Sequence, residues 1–267
     1  MNLSLAIGPF IYKSLVEKLR GHKLRRFRII REVHNKIQGH IKSDFAMVQD
    51  SKMYLGTDDN YNLSIYGIYE PKETLIVKKM IKEGQNVIDI GASIGYYTLL
   101  FSRLVGVSGK VYAFESNLER FDLLRKNVQV NGYTNVILEN KAISNKNGES
   151  IIFGEKAQTV SLDSYFNPDD KIDFVKIDVE GHEKHVFEGM KEILKQNHNI
   201  KIMFEFHPKV LAEYKTTSEE LLKFIEDSNF KMFDILQDSK QITSDELIKA
   251  YPNKINASTN ILCVKNN

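Results

Sequence analysis

After Gly84 this chain alternates apolar strand-like runs with amphipathic helical stretches, and that alternation limits its fold more than any other feature. Strand candidates are Asn86–Ile90, 110–115, 135–140, 174–178 and 200–206. Helical segments at 97–104, Leu118–Val130 and 183–196 lie between them, and two late strands follow at 231–235 and 261–265. Short apolar strands separated by helices predict a mostly parallel sheet covered on both faces. In such a sheet a ligand sits at the carboxyl ends of the strands, where the strand order reverses. The 267 residues, 42% of them hydrophobic, are enough for one large α/β domain with extra elements.

The flanking segments read differently. Residues 1–44 carry helical stripes, Ile11, Leu15 and Leu19 on one and Phe27, Ile30, Val33 and Ile37 on another, with Gly21 between them. Lys18, Arg20, Lys23, Arg25, Arg26, Arg28 and Arg31 follow one another without an acid. A solvated helix face is the favoured reading of that run, and docking on an anionic membrane surface or a phosphate-bearing substrate is the sharper one. From Phe45 to Tyr69, β-favouring residues surround "GTDDNYN", which predicts a β-hairpin or an irregular β lead-in. Pro71 starts a helix that Gly84 stops. "ESIIFGEKAQTV" reads as an extra hairpin after Asn145, and Thr217 with Glu220 as a capping box for a helix to Asp227. The expected domains are therefore 1–44 and 45–267.

Composition narrows the function classes. A net charge of +2 gives no strong general attraction to nucleic acid. Cys263 is the one cysteine, so neither a disulfide framework nor a cysteine zinc site is expected. No apolar run reaches membrane-spanning length and no secretory leader is read, so the expected location is cytoplasmic, with peripheral attachment at the inner membrane surface through the basic stretch.

The loop "VIDIGASIGYYT" follows the first strand of the alternation. A dinucleotide fingerprint needs a third glycine in register to admit a pyrophosphate, and Gly91-Ala92-Ser93-Ile94-Gly95 lacks it. Asp89 before the loop suits a cationic group. Glu115, twenty residues after Gly95, ends the next strand and can accept two hydrogen bonds from a ribose diol. A ribose with a positive centre and no pyrophosphate describes S-adenosylmethionine. A turn whose glycines serve packing alone is the competing reading, and Asp89 and Glu115 in this strand–helix context outweigh it.

A second constellation lies in "IDFVKIDVEGHEKHVFEGM" and "MFEFHP". Lys176 and Asp178 share one side of their strand, with Val175 and Ile177 on the other. Asp178, Glu205 and His207 fall at neighbouring strand ends and are expected to converge on one mouth. General-base chemistry ranks there above a metal site, because no compact ligand spacing is present. The assigned catalytic group is Asp178 or His207, with Glu205 orienting His207; no metal is expected.

"GIYEP", "VIDIGASIGYYT", "VYAFESN", "SLDSYF" and "IDFVKIDVEGHEKHVFEGM" together resemble the motif series of the FkbM-type S-adenosylmethionine-dependent methyltransferases, over roughly residues 45–265. The resemblance implies a class I methyltransferase fold: a Rossmann-like sheet of seven strands, the last antiparallel. It also implies O-methylation of a hydroxyl on a sugar, glycan, glycolipid or related natural product. Carried over by position, it makes Asp89, Gly91, Ala92 and Gly95 the methionine-side loop, with Ser93, Tyr97 and Thr98 counted among its cofactor contacts. Glu115 becomes the ribose ligand, with Ser116 and Asn117 beside the adenine, and "NKAIS" offers Lys141 and Ala142 at the adenine edge. Tyr69 and Glu70 close over the methionine end, and Asp178 and Glu180 match the acids after the fourth strand.

The competing functions are RNA or another nitrogen acceptor, and a non-catalytic cofactor-binding or membrane-docking module. Amino-directed enzymes present an Asn/Asp-Pro-Pro-aromatic turn where this chain reads "DVEG", which disfavours nitrogen. Tyr54, Tyr61 and Tyr66 could stack on a sugar face or serve only the β segment.

Overall fold

A computed structural model describes residues 45–56, 59, 62–152 and 154–266. The helices and basic run expected over 1–44, and Tyr61, lie outside the described residues. The chain divides between Glu70 and Pro71 into two compact units.

In the first unit, β1 (Phe45–Val48) and β2 (Ser51–Tyr54) pair antiparallel, Phe45 opposite Tyr54. The hairpin turn is Gln49-Asp50, both at positive φ, rather than the "GTDDNYN" segment expected to make it. Two consecutive left-handed residues match the strand twist in a two-residue turn, so the chain reverses earlier than composition suggested. The stretch after that segment is a short helix, α1 (Leu63–Tyr66), not a strand. Asp59 decides this locally: its Oδ1 accepts from the Leu63 amide at 2.8 Å and its Oδ2 from the Ser64 amide at 3.1 Å.

The second unit opens with α2 (Pro71–Met80) and then follows the predicted alternation. In chain order it contains β3 (Asn86–Ile90), α3 (Tyr96–Val105), β4 (Lys110–Phe114), α4 (Leu118–Val130) and β5 (Val136–Glu139). The insertion supplies β6 (Ala142–Ile143), β7 (Gly148–Ile152) and β8 (Glu155–Val160), which form their own three-stranded sheet. Then come α5 (Leu162–Tyr165), β9 (Phe174–Ile177), α6 (Glu183–Glu188), α7 (Lys191–Gln196) and β10 (Lys201–Phe206). The chain ends with α8 (Pro208–Glu213), α9 (Ser218–Asp227), β11 (Phe230–Asp234), β12 (Lys240–Ile242), α10 (Ser244–Ala250) and β13 (Thr259–Lys265).

The main sheet has the order β12-β11-β13-β10-β9-β3-β4-β5. The expected seven strands are there, and β13 runs antiparallel between β10 and β11. β12 adds an eighth strand at the edge as a hairpin partner of β11, too short and polar to register as a strand in "KQI". The predicted 183–196 helix is two helices broken at Gly189 and Met190. A Cβ at Gly189 would lie 2.0 Å from the Ser144 carbonyl oxygen, so the chain bends where it crosses the start of the insertion.

The alternation of faces builds the layers. Ile88, Ile90, Val175 and Ile177 point into a buried cluster with Phe187, Ile193 and Leu222 from α6, α7 and α9. Val87, Phe174 and Phe101 of α3 fill the opposite face, where the Phe101 and Phe174 rings meet edge-on at 5.9 Å. On that same face Asp89 and Lys176 are register partners on adjacent strands. Among the described residues no helix is long and apolar enough to cross a membrane.

Candidate active site

Strand order reverses between β3 and β9, and the carboxyl ends of β3, β4 and β9 carry the residues singled out above. The loop after β3 is fixed by its own backbone. The Gly91 and Ala92 amides both donate to the Phe114 carbonyl, and the Gly95 amide to Ala92. Gly91 has φ +77°, and a Cβ there would lie 1.9 Å from the Asp178 carbonyl oxygen. This glycine is therefore required by the contact of the loop with the end of β9, whatever ligand binds. Gly95, at φ +100°, is required chiefly by its backbone conformation; the atom nearest an added Cβ is the movable Leu124 Cδ1 at 2.7 Å. Asn127 of α4 donates to the Ile94 carbonyl at 2.8 Å and clamps the loop from below, a support that no sequence pattern announced.

Glu115 is buried, and each carboxylate oxygen takes a backbone amide: Ser93 N at 2.8 Å and Asn117 N at 2.8 Å. The two loops are thus tied through one carboxylate, and each oxygen retains a further lone pair. Burial raises the Glu115 pKa, and the two backbone donors oppose that. Asn117 is also the N-cap of α4, its Oδ1 accepting from Arg120 N at 3.0 Å, while its amide group donates to Glu155 at 3.2 Å. Glu115, Ser116 and Asn117 line a cleft of about 550 Å³ together with Arg120, Glu180 and Tyr214; Glu155 and Lys156 of the insertion form another wall.

Other predicted residues take different places. Asp89 is fully buried and does not line the cleft; Thr98 donates to its Oδ2 at 2.6 Å. Burial pushes its pKa up to about 6 against the attraction of Lys176. The expected direct approach to a cationic ligand is therefore replaced by a buried Asp89–Thr98 pair with Lys176 alongside. Tyr97 puts its ring 4.6 Å under the Lys176 ammonium. Lys141 pairs with Glu139 at 2.8 Å, and neither it nor Ala142 lines the cleft. Tyr69 and Glu70 belong to the first unit, with Glu70 at φ 44°.

At the second constellation, one oxygen each from Asp178, Glu180 and Glu205 fall within 4.8 Å of one another. That convergence was expected for Asp178 and Glu205. His207 is elsewhere employed: its Nε2 lies 3.0 Å from the Ile255 carbonyl, not on Glu205. Lys176, almost wholly buried, holds Asp178 Oδ2 at 2.8 Å. Three oxygens so spaced have the chemistry to hold a divalent cation, and the Lys176 ammonium already meets the charge of one of them. Glu183 lies in the first turn of α6. It is fully buried, accepts from the Gly181 amide at 3.1 Å through Oε1, and has no partner for Oε2 among the described residues. Burial pushes its pKa up to about 8. Lys176 and Glu183 are the residues whose roles the sequence reading missed; a lone lysine inside "DFVKID" was the available signal.

The strand order, the loop packed on the end of β9 and a ribose-ready carboxylate beside it define a class I S-adenosylmethionine-dependent methyltransferase. The methyltransferase FkbM domain model matches residues 89–232, and the chain belongs to that family. A second model, protein-L-isoaspartate(D-aspartate) O-methyltransferase, matches residues 13–142. The catalytic subunit TRM61 of tRNA (adenine(58)-N(1))-methyltransferase from Yarrowia lipolytica is 31% identical over 97 residues, 36% of this chain and 25% of that protein. The match thus spans about a quarter of that relative. Two solved structures share the fold. A candidate rRNA-methylase from Clostridium thermocellum has TM-score 0.52 at 15% identity, covering 74% of this chain and 95% of that one. A methyltransferase-fold protein from Streptococcus mutans, in complex with SAH, has TM-score 0.50 at 15% identity, covering 74% and 99%.

Proposed function

We propose that this enzyme transfers the methyl group of S-adenosylmethionine to a hydroxyl of a sugar, glycan, glycolipid or related natural product. The observation that carries this reading is the convergence of Asp178, Glu180 and Glu205 beside the glycine loop. An alkyl hydroxyl must lose its proton as the new bond forms, and carboxylates next to the donor loop supply acceptors for it. Glu115 with its two amide tethers would hold the ribose. The bound cofactor supplies an activated methyl on a sulfonium, so positioning contributes much of the rate, about 7–11 kcal/mol for well-oriented reactants.

The similarity to a tRNA methyltransferase subunit supports a second reading, a nitrogen acceptor in RNA. "DVEG" at the end of β9 favours the hydroxyl reading over it. The basic run between Lys18 and Arg31 gives the enzyme a means of meeting an anionic membrane; salt-insensitive absence of binding to anionic vesicles would remove that part.

One experiment separates the acceptors. Cell extract, fractionated into carbohydrate and glycolipid, RNA, and protein, is incubated with enzyme and methyl-labelled S-adenosylmethionine. Alkali-stable label in the carbohydrate or glycolipid fraction is expected. Label in nucleosides, or alkali-labile label in protein, overturns the hydroxyl reading.

A further inference from the structure

We propose that Glu180 is the general base that takes the proton from the acceptor hydroxyl. This rests on the hydroxyl reading above and names the residue of that site which performs the step.

Four observations separate Glu180 from its neighbours. It lines the same cleft as Glu115, whereas Asp178, Glu205 and His207 do not. Asp178 is committed to Lys176 at 2.8 Å and His207 to the Ile255 carbonyl at 3.0 Å. No hydrogen bond occupies the Glu180 carboxylate among the described residues, and the side chain is exposed to the cleft. Finally, Glu180 sits at φ +49°, a left-handed conformation that a non-glycine residue adopts at a cost of roughly 1 kcal/mol or more. The turn has a reason to hold that geometry: the Gly181 amide is captured by Glu183, and Gly181 itself packs against Tyr214 and Val210 with no room for a Cβ.

Position along the cleft agrees. Glu115 and Glu180 line the same cleft, and the Glu180 turn directly follows Asp178, whose carbonyl touches Gly91 of the donor loop.

The step balances without a further reagent. A lone pair of the acceptor oxygen forms the bond to the methyl carbon. The carbon–sulfur bond breaks with its electrons on sulfur, leaving neutral S-adenosylhomocysteine. The hydroxyl proton passes to a Glu180 carboxylate oxygen and from there to solvent at the open cleft.

The test uses the full chain, labelled S-adenosylmethionine and the carbohydrate and glycolipid fraction of the extract as the acceptor probe. Glu180→Gln should lower turnover by about 10²–10⁴-fold. Calorimetric affinity for S-adenosylhomocysteine should stay within about twofold, and Glu180→Asp should restore part of the rate. Retention of turnover in Glu180→Gln overturns the assignment. So does a loss of S-adenosylhomocysteine affinity in step with turnover, which would make Glu180 a cofactor ligand. If the wild-type enzyme labels nothing in that fraction, the hydroxyl reading itself fails and the base falls with it.

Discussion

The Lys176 ammonium lies 2.8 Å from Asp178 Oδ2 and faces Asp89 across the register of β9 and β3. One buried cation thus stands between an acid before the glycine loop and an acid at the end of β9. Lys176→Met should leave both carboxylates short of their counter-charge. Removing one member of a buried pair costs about 3–5 kcal/mol, and the partial exposure of Asp178 puts the expected loss at the lower end. Urea denaturation of wild type and variant measures it, and equal midpoints would remove Lys176 from the account.

Glu183 makes stability depend on pH. Its folded pKa, about 8, lies above the ordinary glutamate value of 4.5, so the native state holds this proton more tightly than the unfolded chain. Its contribution is therefore fully present below about pH 4.5 and is lost as pH rises through about 8. Glu183→Gln keeps an acceptor for the Gly181 amide and removes the titration. The variant should gain on wild type, by up to a few kcal/mol, as pH rises across that window. Parallel thermal melts from pH 5 to 9 would show the gap widen; a constant gap contradicts the burial argument.

Gly91→Ala should unfold the site before any question of cofactor arises. The added methyl would meet the Asp178 carbonyl at 1.9 Å from a backbone at φ +77°. A loss of roughly 3 kcal/mol or more is expected in the cofactor-free protein. A normal melting temperature combined with lost S-adenosylhomocysteine binding would instead make the glycine a steric gate for the ligand alone.

Glu115→Ala should weaken S-adenosylmethionine and S-adenosylhomocysteine alike. Hydrogen bonds to a charged acceptor are worth about 1.5–3 kcal/mol, so affinity should fall by roughly 10–150-fold. Titration calorimetry reads it. An unchanged Kd would take the ribose away from this carboxylate.

Thr217→Ala tests a purely structural reading. The Thr217 hydroxyl accepts from Glu220 N at 3.2 Å and Glu220 Oε2 accepts from Thr217 N at 3.2 Å, closing the box that starts α9. Its removal should cost about 1 kcal/mol, with cofactor affinity unaltered.

Much of the fold was legible because it is encoded locally. The β3, β4, α4 and β10 segments declared themselves by apolar runs, periodicity and punctuation, to within a residue or two of the expected limits. The capping box at Thr217 was written in two residue types at fixed spacing. The short edge strand β12 and the Gln49-Asp50 turn were not legible. One is held by pairing to β11 and the other by backbone twist, and neither leaves a pattern in composition.

The site divides in the same way. From the sequence alone came the strand–helix order, the missing third glycine, the acid at 115 that ends β4 and the S-adenosylmethionine donor, because each depends on spacing along one short segment. Only the tertiary structure decided what each acid does. It buried Asp89 against Thr98 and Lys176, tied Asp178 to that lysine, held His207 on Ile255 and left Glu180 facing the cleft. The physical reason is that a carboxylate's chemistry is set by its burial and by the charges and donors brought to it from other strands. Those neighbours are distant in sequence: Asp89 and Lys176 meet only because β3 and β9 lie side by side.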